Sequence, residues 1–333
     1  MSCLKMKLFF SLLLVISACS KSSTPSVPAE PAVTPATARL KNFAIYYGWP
    51  SSLNSATLGW SNAAVATFLK QYSFVVFGAG LEDPVHGDHA NTIAITAAMK
   101  GTTEVYGYVG VGITNSYSLA VIQGKIDSWK NNVDVAGIFL DEFGFDFKLA
   151  GYTDADMRVR QKAVVDYVHA AGLKVFVNSF DPDDVFSKES SNPITWVSGD
   201  KYLYELYIFS SATRETFAAY RAKVAKLKSA MAQTGVEMHA INTTTALNSA
   251  FVQADFNFMI LSAIADGFQG IGWGTENFSA ASAVMPYRTN TSLFADYQVD
   301  PNPIVDNSAG TVSFQHTSGS VQLTYSNTTA TVQ

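Results

Sequence analysis

Residues 135–147 read VAGIFLDEFGFDF. The apolar run ends in two adjacent carboxylates, Asp141 and Glu142. Either the pair opens a solvated loop, or a buried strand delivers charge to a pocket. A strand this apolar, without a wet face, belongs to a parallel sheet covered on both sides. Neighbours along a regular strand point to opposite faces. Asp141 and Glu142 can therefore share a pocket only if the strand stops between them.

The same pattern repeats on either side of this stretch. Short apolar runs fall at 43–47, 74–80, 105–111, 136–142, 174–178, 201–209, 237–242 and 268–274, and longer amphipathic or polar stretches separate them. Strict β-then-α order with eight strands over this length predicts an α/β chain folded as a (β/α)8 TIM barrel, spanning residues 39–300. A doubly wound open sheet is the alternative. It would want a Gly-rich phosphate turn after an early strand, and no G-x-G-x-x-G opens a helix here. Asp154 stands as the N-cap of the helix after the fourth strand, and Gly172 closes it. Residues 301–333 alternate Thr, Ser and Val with apolar residues around TSGS, which predicts a short C-terminal β-hairpin appendage.

The two cysteines, Cys3 and Cys19, both fall at the N-terminus, so the barrel has no disulfide. Lys5 and Lys7, the run LFFSLLLVI and then SAC give residues 1–19 the form of a secretory signal. ISAC is similar to a bacterial lipobox, which implies cleavage before Cys19 and lipidation of its sulfur. By analogy with sorting rules, the lack of Asp after Cys19 points to the outer membrane, periplasmic or surface-exposed. Residues 20–38 are rich in Pro, Ser, Thr and Ala and predict a disordered tether. Of the 333 residues, 48% are hydrophobic and 15% charged, which suits a large buried core. The net charge of −5 and the lack of a basic run argue against nucleic acid as a partner. An acidic protein mildly attracts a cationic ligand. A monomer is expected.

A barrel places its working groups at the C-terminal ends of its strands. Those ends carry Tyr47, Trp49, Glu82, Tyr108, Asp141, Glu142, Asn178, Asp181, Glu205, Tyr207, Asn242, Trp273 and Glu276. Rings that stack on pyranose faces, with carboxylates and amides for hydroxyls, suit a polysaccharide. Glycoside hydrolysis generally needs two carboxyl groups, one to protonate the leaving oxygen and one to attack or to activate water. Glu205, in LYELY, has no nearby cation in sequence, and a buried unpaired Glu is expensive unless it is functional or protonated. Tyr204 and Tyr207 are expected to desolvate it. The plain alternative is that Asp141 and Glu142 cap a loop and Glu205 pairs with a distant Arg or Lys. The loop EDPVHGDH (82–89) crowds acids and histidines, but Pro84 and Gly87 break its regularity. Asp88 is better placed as an N-cap. No metal or organic cofactor is expected.

VYGYVGVGIT, IDSW, VAGIFLDEFGFD, AGLKVFVN and YLYELY together resemble the spherulin-4-like glycoside hydrolases, relatives of the endo-α-1,4-polygalactosaminidases. The resemblance covers about residues 43–274. It implies a (β/α)8 barrel that cleaves α-1,4-linked galactosamine or N-acetylgalactosamine polymers internally, with Asp141, Glu142 and Glu205 as the functional carboxylates. The first-strand end YYGWPSS and the loop LEDPVHGDH depart from the family pattern, which leaves the substrate open. A glycosidase for another α-linked glycan, or a non-catalytic carbohydrate-binding surface lipoprotein, would use the same barrel.

Overall fold

The computed structural model describes residues 37–53, 61–210, 213–243, 253–274, 293, 295–317 and 319–332. Cys19, the signal, most of the tether and Glu276 lie outside the described residues. Eight parallel strands close into a barrel: β1 (Lys41–Tyr46), β2 (Phe74–Phe77), β3 (Glu104–Gly110), β4 (Gly137–Asp141), β5 (Lys174–Asn178), β6 (Lys201–Glu205), β7 (Glu237–Thr243) and β8 (Gly270–Gly274). Each pairs with the next in sequence, and β8 closes on β1. The connections carry α1 (Asn62–Leu69), α2 (His89–Met99), α3 (Leu119–Ser128), α4 (Asp154–Ala170), α5 (Asp183–Phe186), α6 (Phe217–Thr234) and α7 (Gln253–Asp266). This is the TIM barrel predicted from the order of the runs.

The runs lack alternation because both strand faces are dry. Inward residues Phe43, Phe74, Tyr106, Phe139, Phe176, Leu203 and Ile241 form one buried cluster, while outward residues such as Val75, Ile138, Leu140 and Val177 join a second cluster with the helices. In β8 the inward positions are glycines. A Cβ on Gly270 would lie 2.1 Å from His239 Nδ1, and one on Gly272 2.8 Å from the Phe43 carbonyl. The missing side chains make room for those neighbours.

Below the ring layer, at the N-terminal ends of the strands, the chain places an ionic layer. Glu237 meets Lys41 at 2.8 Å and Lys201 at 3.6 Å, and Lys174 meets Glu104 at 2.6 Å. Lys201 is almost fully buried, with Phe74 and Tyr106 rings 5.5 and 5.1 Å from its ammonium. His239 is buried beside Glu237, and burial pushes its imidazole down to about 4, so it stays neutral.

Two local expectations change. Thr153, not Asp154, caps α4: it accepts from Asp156 N at 3.2 Å, and Asp156 returns a bond to Thr153 N, a capping box. Gly172 does close the helix, at φ 76°. The tail is a four-stranded antiparallel sheet rather than a hairpin: β9 (Ile304–Asp306), β10 (Thr311–His316), β11 (Gly319–Thr324) and β12 (Thr329–Val332). The expected hairpin is its central pair, flanked by two shorter strands. Thr37–Ala38, assigned to the tether, pairs antiparallel with Tyr297–Gln298.

Candidate active site

The site follows from the two-residue period of a strand. Along β3, β4, β5 and β6 the inward positions read Tyr106 then Tyr108, Phe139 then Asp141, Phe176 then Asn178, and Leu203 then Glu205. Each lower residue is a buried ring or aliphatic group. Each upper one is a polar group at the mouth.

Two backbone breaks follow immediately. Glu142 and Leu206, the residues after Asp141 and Glu205, both have φ 55°. Left-handed φ is uncommon outside glycine and costs roughly 1–2 kcal/mol. The first break satisfies the condition set by the sequence: β4 stops between Asp141 and Glu142. Both side chains then line one cleft of 170 Å³ together with Glu205, Asn178, Ser179, Phe147 and Phe180.

Asn178 organises the charges. Its Nδ2 donates to Asp141 Oδ1 at 2.9 Å and to Glu205 Oε2 at 2.8 Å, so those two oxygens lie no more than about 5.7 Å apart. Asp141 Oδ1 also accepts from Glu142 N at 2.9 Å, and its Oδ2 accepts from Tyr108 Oη at 2.9 Å. Asp141 thus carries three donors. Glu205 carries one, and among the described residues its Oε1 accepts none. Burial raises the pKa of Asp141, against its donors. Burial also raises that of Glu205, with Asp141 adding repulsion and Asn178 opposing. Donors to the charged form are what separate the pair: among the described residues Asp141 has three and Glu205 one, so the ionised form is the better supported of the two at Asp141. Glu142 stands apart, accepting from Thr114 N at 3.1 Å. Tyr47 packs edge-on against Tyr108, with centroids 5.2 Å apart, and burial followed by the Asp141 charge keeps its phenol protonated.

Other sequence candidates lie elsewhere. Tyr207 is fully buried and donates to Asp266 Oδ2 at 2.6 Å. Alternation would have put it beside Glu205, but the break at Leu206 swings it outward into the helical layer. Tyr204 also faces outward, bonded to Glu215 at 2.9 Å, so neither tyrosine supplies the desolvation expected of it. Trp273 packs edge-on against Phe256 of α7. Asp181 is held by Lys188 at 2.9 Å and Lys226 at 3.3 Å. Partial burial would raise its pKa, but these bonds win and lower it. Asn242 accepts from Ile208 N, and Glu82 is buried against Lys125 at 2.7 Å. Trp49 is 51% exposed on the mouth-side loop, edge-on to His86. In loop 82–89, Asp88 occupies the N-cap position of α2, yet its carboxylate binds Ser51 and Asn91 instead of the helix backbone.

Sequence reasoning missed Phe147 and Phe180. Their rings lie 5.7 Å apart beside the carboxylates, and Phe180 is 46% exposed. The available signal was position: Phe180 is the second residue after β5, where mouth groups belong.

No family model matches the chain, and no curated protein matches it in sequence. Solved structures match at the level of the barrel. The glycoside hydrolase domain of PelA from Pseudomonas aeruginosa is 14% identical, with TM-score 0.48, over 71% of this chain and 95% of that one. Aspergillus fumigatus Ega3, in complex with galactosamine, is 11% identical, with TM-score 0.46, over 78% and 97%. Dihydrodipicolinate synthase from Agrobacterium tumefaciens is 8% identical, with TM-score 0.44, over 71% and 69%. Barrels of different chemistry match about equally well, so the likeness carries nothing about the reaction.

Proposed function

We propose that the protein is an endo-acting glycoside hydrolase for an α-linked aminosugar polysaccharide, of the galactosamine or N-acetylgalactosamine type, tethered to a membrane through a lipid on Cys19. The observation that carries this reading is the single Asn178 amide nitrogen bonded to both Asp141 and Glu205. An inert binder has no need to hold two half-buried carboxylates within one amide's reach. Such a span supports the retaining course, for which the carboxyl groups stand about 5–5.5 Å apart, over the inverting one at about 6.5–9.5 Å.

In this reading Glu205 is the general acid. It passes its Oε1 proton to the glycosidic oxygen as the anomeric C–O bond breaks. Asp141 Oδ2, which among the described residues accepts only from Tyr108, forms the new bond to the anomeric carbon. Water then attacks that carbon, Glu205 takes the water proton, and the Asp141 carboxylate leaves. Both groups return to their starting states. Phe147 and Phe180 offer faces to the sugar. The cleft holds three carboxylates and no basic side chain among its lining residues, which favours a cationic sugar.

The test is incubation of the purified protein with partly deacetylated galactosamine polymer, glucosamine polymer and neutral α-glucan, with oligosaccharides read by mass spectrometry. Internal cleavage of the first, lost in Asp141→Asn with melting temperature unchanged, is expected. Retention of polymer without products would favour the binder.

A further inference from the structure

The appended C-terminal sheet is bonded, through buried hydroxyls, to the residue that ends the Glu205 turn. Tyr325, one residue past β11, has its hydroxyl 3.0 Å from Ser262 Oγ on α7 and 2.9 Å from Tyr220 Oη on α6. Tyr220 and Tyr207 both donate to Asp266 Oδ2, and Arg221 pairs with the other oxygen of that carboxylate. Asp266 and Tyr207 are fully buried, and Tyr220 and Tyr325 nearly so. Tyr207 is two residues after Glu205, with only Leu206 at φ 55° between them. The far side of the turn is held by Tyr207 N to the Ile241 carbonyl at 3.1 Å and Ile208 N to Asn242 Oδ1 at 3.1 Å.

A left-handed, β-substituted residue does not stay so unaided, because the surroundings must over-determine it. On one side of Leu206 the chain is strand. On the other, Tyr207 N and Ile208 N hold the backbone, and the Tyr207 hydroxyl holds the side chain in a largely buried network. We propose that the C-terminal sheet is a positioning element of the active site: Tyr325, through Tyr220 and Asp266, fixes Tyr207 and so holds the turn that aims Glu205 into the cleft. The role of Glu205 rests on the function proposed above, but the positioning does not. Tyr207 and Tyr325 touch no substrate. They act through the backbone of residues 205–207.

The experiment uses the full chain and the variants Tyr207→Phe and Tyr325→Phe, which keep each ring and remove one hydroxyl. Asp266 retains Tyr220 and Arg221 in the first, so its charge stays paired. The primary readout is the carboxyl titration of Glu205 by ¹³C NMR, assigned by its loss in Glu205→Gln. The charged and titrating groups around Glu205 are Asp141 on β4, Lys223 on α6, Glu142 in the same cleft and the Tyr47 and Tyr202 phenols, and none is altered. Loosening the turn admits water, so the Glu205 midpoint should move down by about half a unit or more in both variants, since water favours the charged form. With a cleavable substrate, kcat should fall about fivefold or more while KM stays within about twofold, the size of one lost hydrogen bond. A purely structural network would lower the melting temperature and leave the Glu205 midpoint in place, which overturns the proposal. Should Tyr207→Phe fail to fold, Tyr325→Phe, remote from the cleft, decides it. A shifted midpoint with no polymer cleaved would sustain the positioning and sink the hydrolase reading.

Discussion

Replacing Asn178 with leucine tests the charge arrangement directly. Leucine has the branching and heavy-atom count of asparagine with bulkier methyl ends, keeps water out, and removes the Nδ2 donor shared by Asp141 and Glu205. It also removes an acceptor, Asn178 Oδ1, that is buried with no partner among the described residues. A hydrogen bond to a charged group is worth about 1.5–3 kcal/mol. Asp141 keeps two of its three donors, so its ionised form loses one such bond. At 1.36 kcal/mol per pKa unit, its pKa rises by about one to two units. Glu205 loses the one donor it has among the described residues, and its pKa rises too. The signs then follow. Asp141 must be ionised to attack, so the acid limb of the pH–rate profile moves up. Glu205 must be protonated to donate, so the alkaline limb moves up as well. The whole bell shifts toward alkaline pH by about a unit or more, and its maximum falls by about tenfold or more. The assay is kcat/KM against pH on a soluble oligomer, with circular dichroism to confirm folding. A folded Asn178→Leu protein with both limbs unmoved would refute the clamp.

Three further outcomes are expected. Phe180→Ala removes a ring that is nearly half exposed and should raise KM by roughly fivefold with kcat little changed, since about 1 kcal/mol of apolar contact is lost. His239, neutral in the fold with its pKa down at about 4, takes up a proton in the unfolded chain near its ordinary value. Its contribution to stability is therefore whole above about pH 6.5 and is lost as pH falls toward 4, on the order of 3 kcal/mol. His239→Gln should flatten that part of the denaturation-versus-pH curve, and an unchanged slope would count against it. Glu142→Gln keeps the bond from Thr114 N but removes a cleft charge, so it should weaken a deacetylated polymer more than an acetylated one, read as a ratio of KM values.

The sequence was legible where one rule acted alone. Barrel strands are read from apolar runs of the right length, and their order dictates the closure. Asp141, Asn178 and Glu205 were legible because each stands at a strand end, two residues past a buried inward group. Legibility failed where the backbone left the two-residue period. Leu206 turns at φ 55°, so Tyr207 ends in the helical layer although alternation assigns it to the mouth. Trp273 and Tyr204 occupy the outward phase of their strands, a phase that composition does not reveal when both faces are apolar. Asp181 met Lys188 and Lys226 from α5's flank and α6, contacts distant in sequence for Lys226 and short-range for Lys188. Phe147 and Phe180 sit on loops, where no period marks a side.

The packed rings beneath the mouth have one more consequence. Phe139, Phe176 and Leu203, directly under Asp141, Asn178 and Glu205, are fully buried, and the ionic layer closes the far end. Among the described residues, these packed groups close Glu205 off from below. In the proposed reading its proton exchanges with solvent through the opening that a sugar would occupy. Under the proposed function, a chain lying across that opening would shield Glu205 from bulk water and leave its proton between the glycosidic oxygen and the carboxylates beside it.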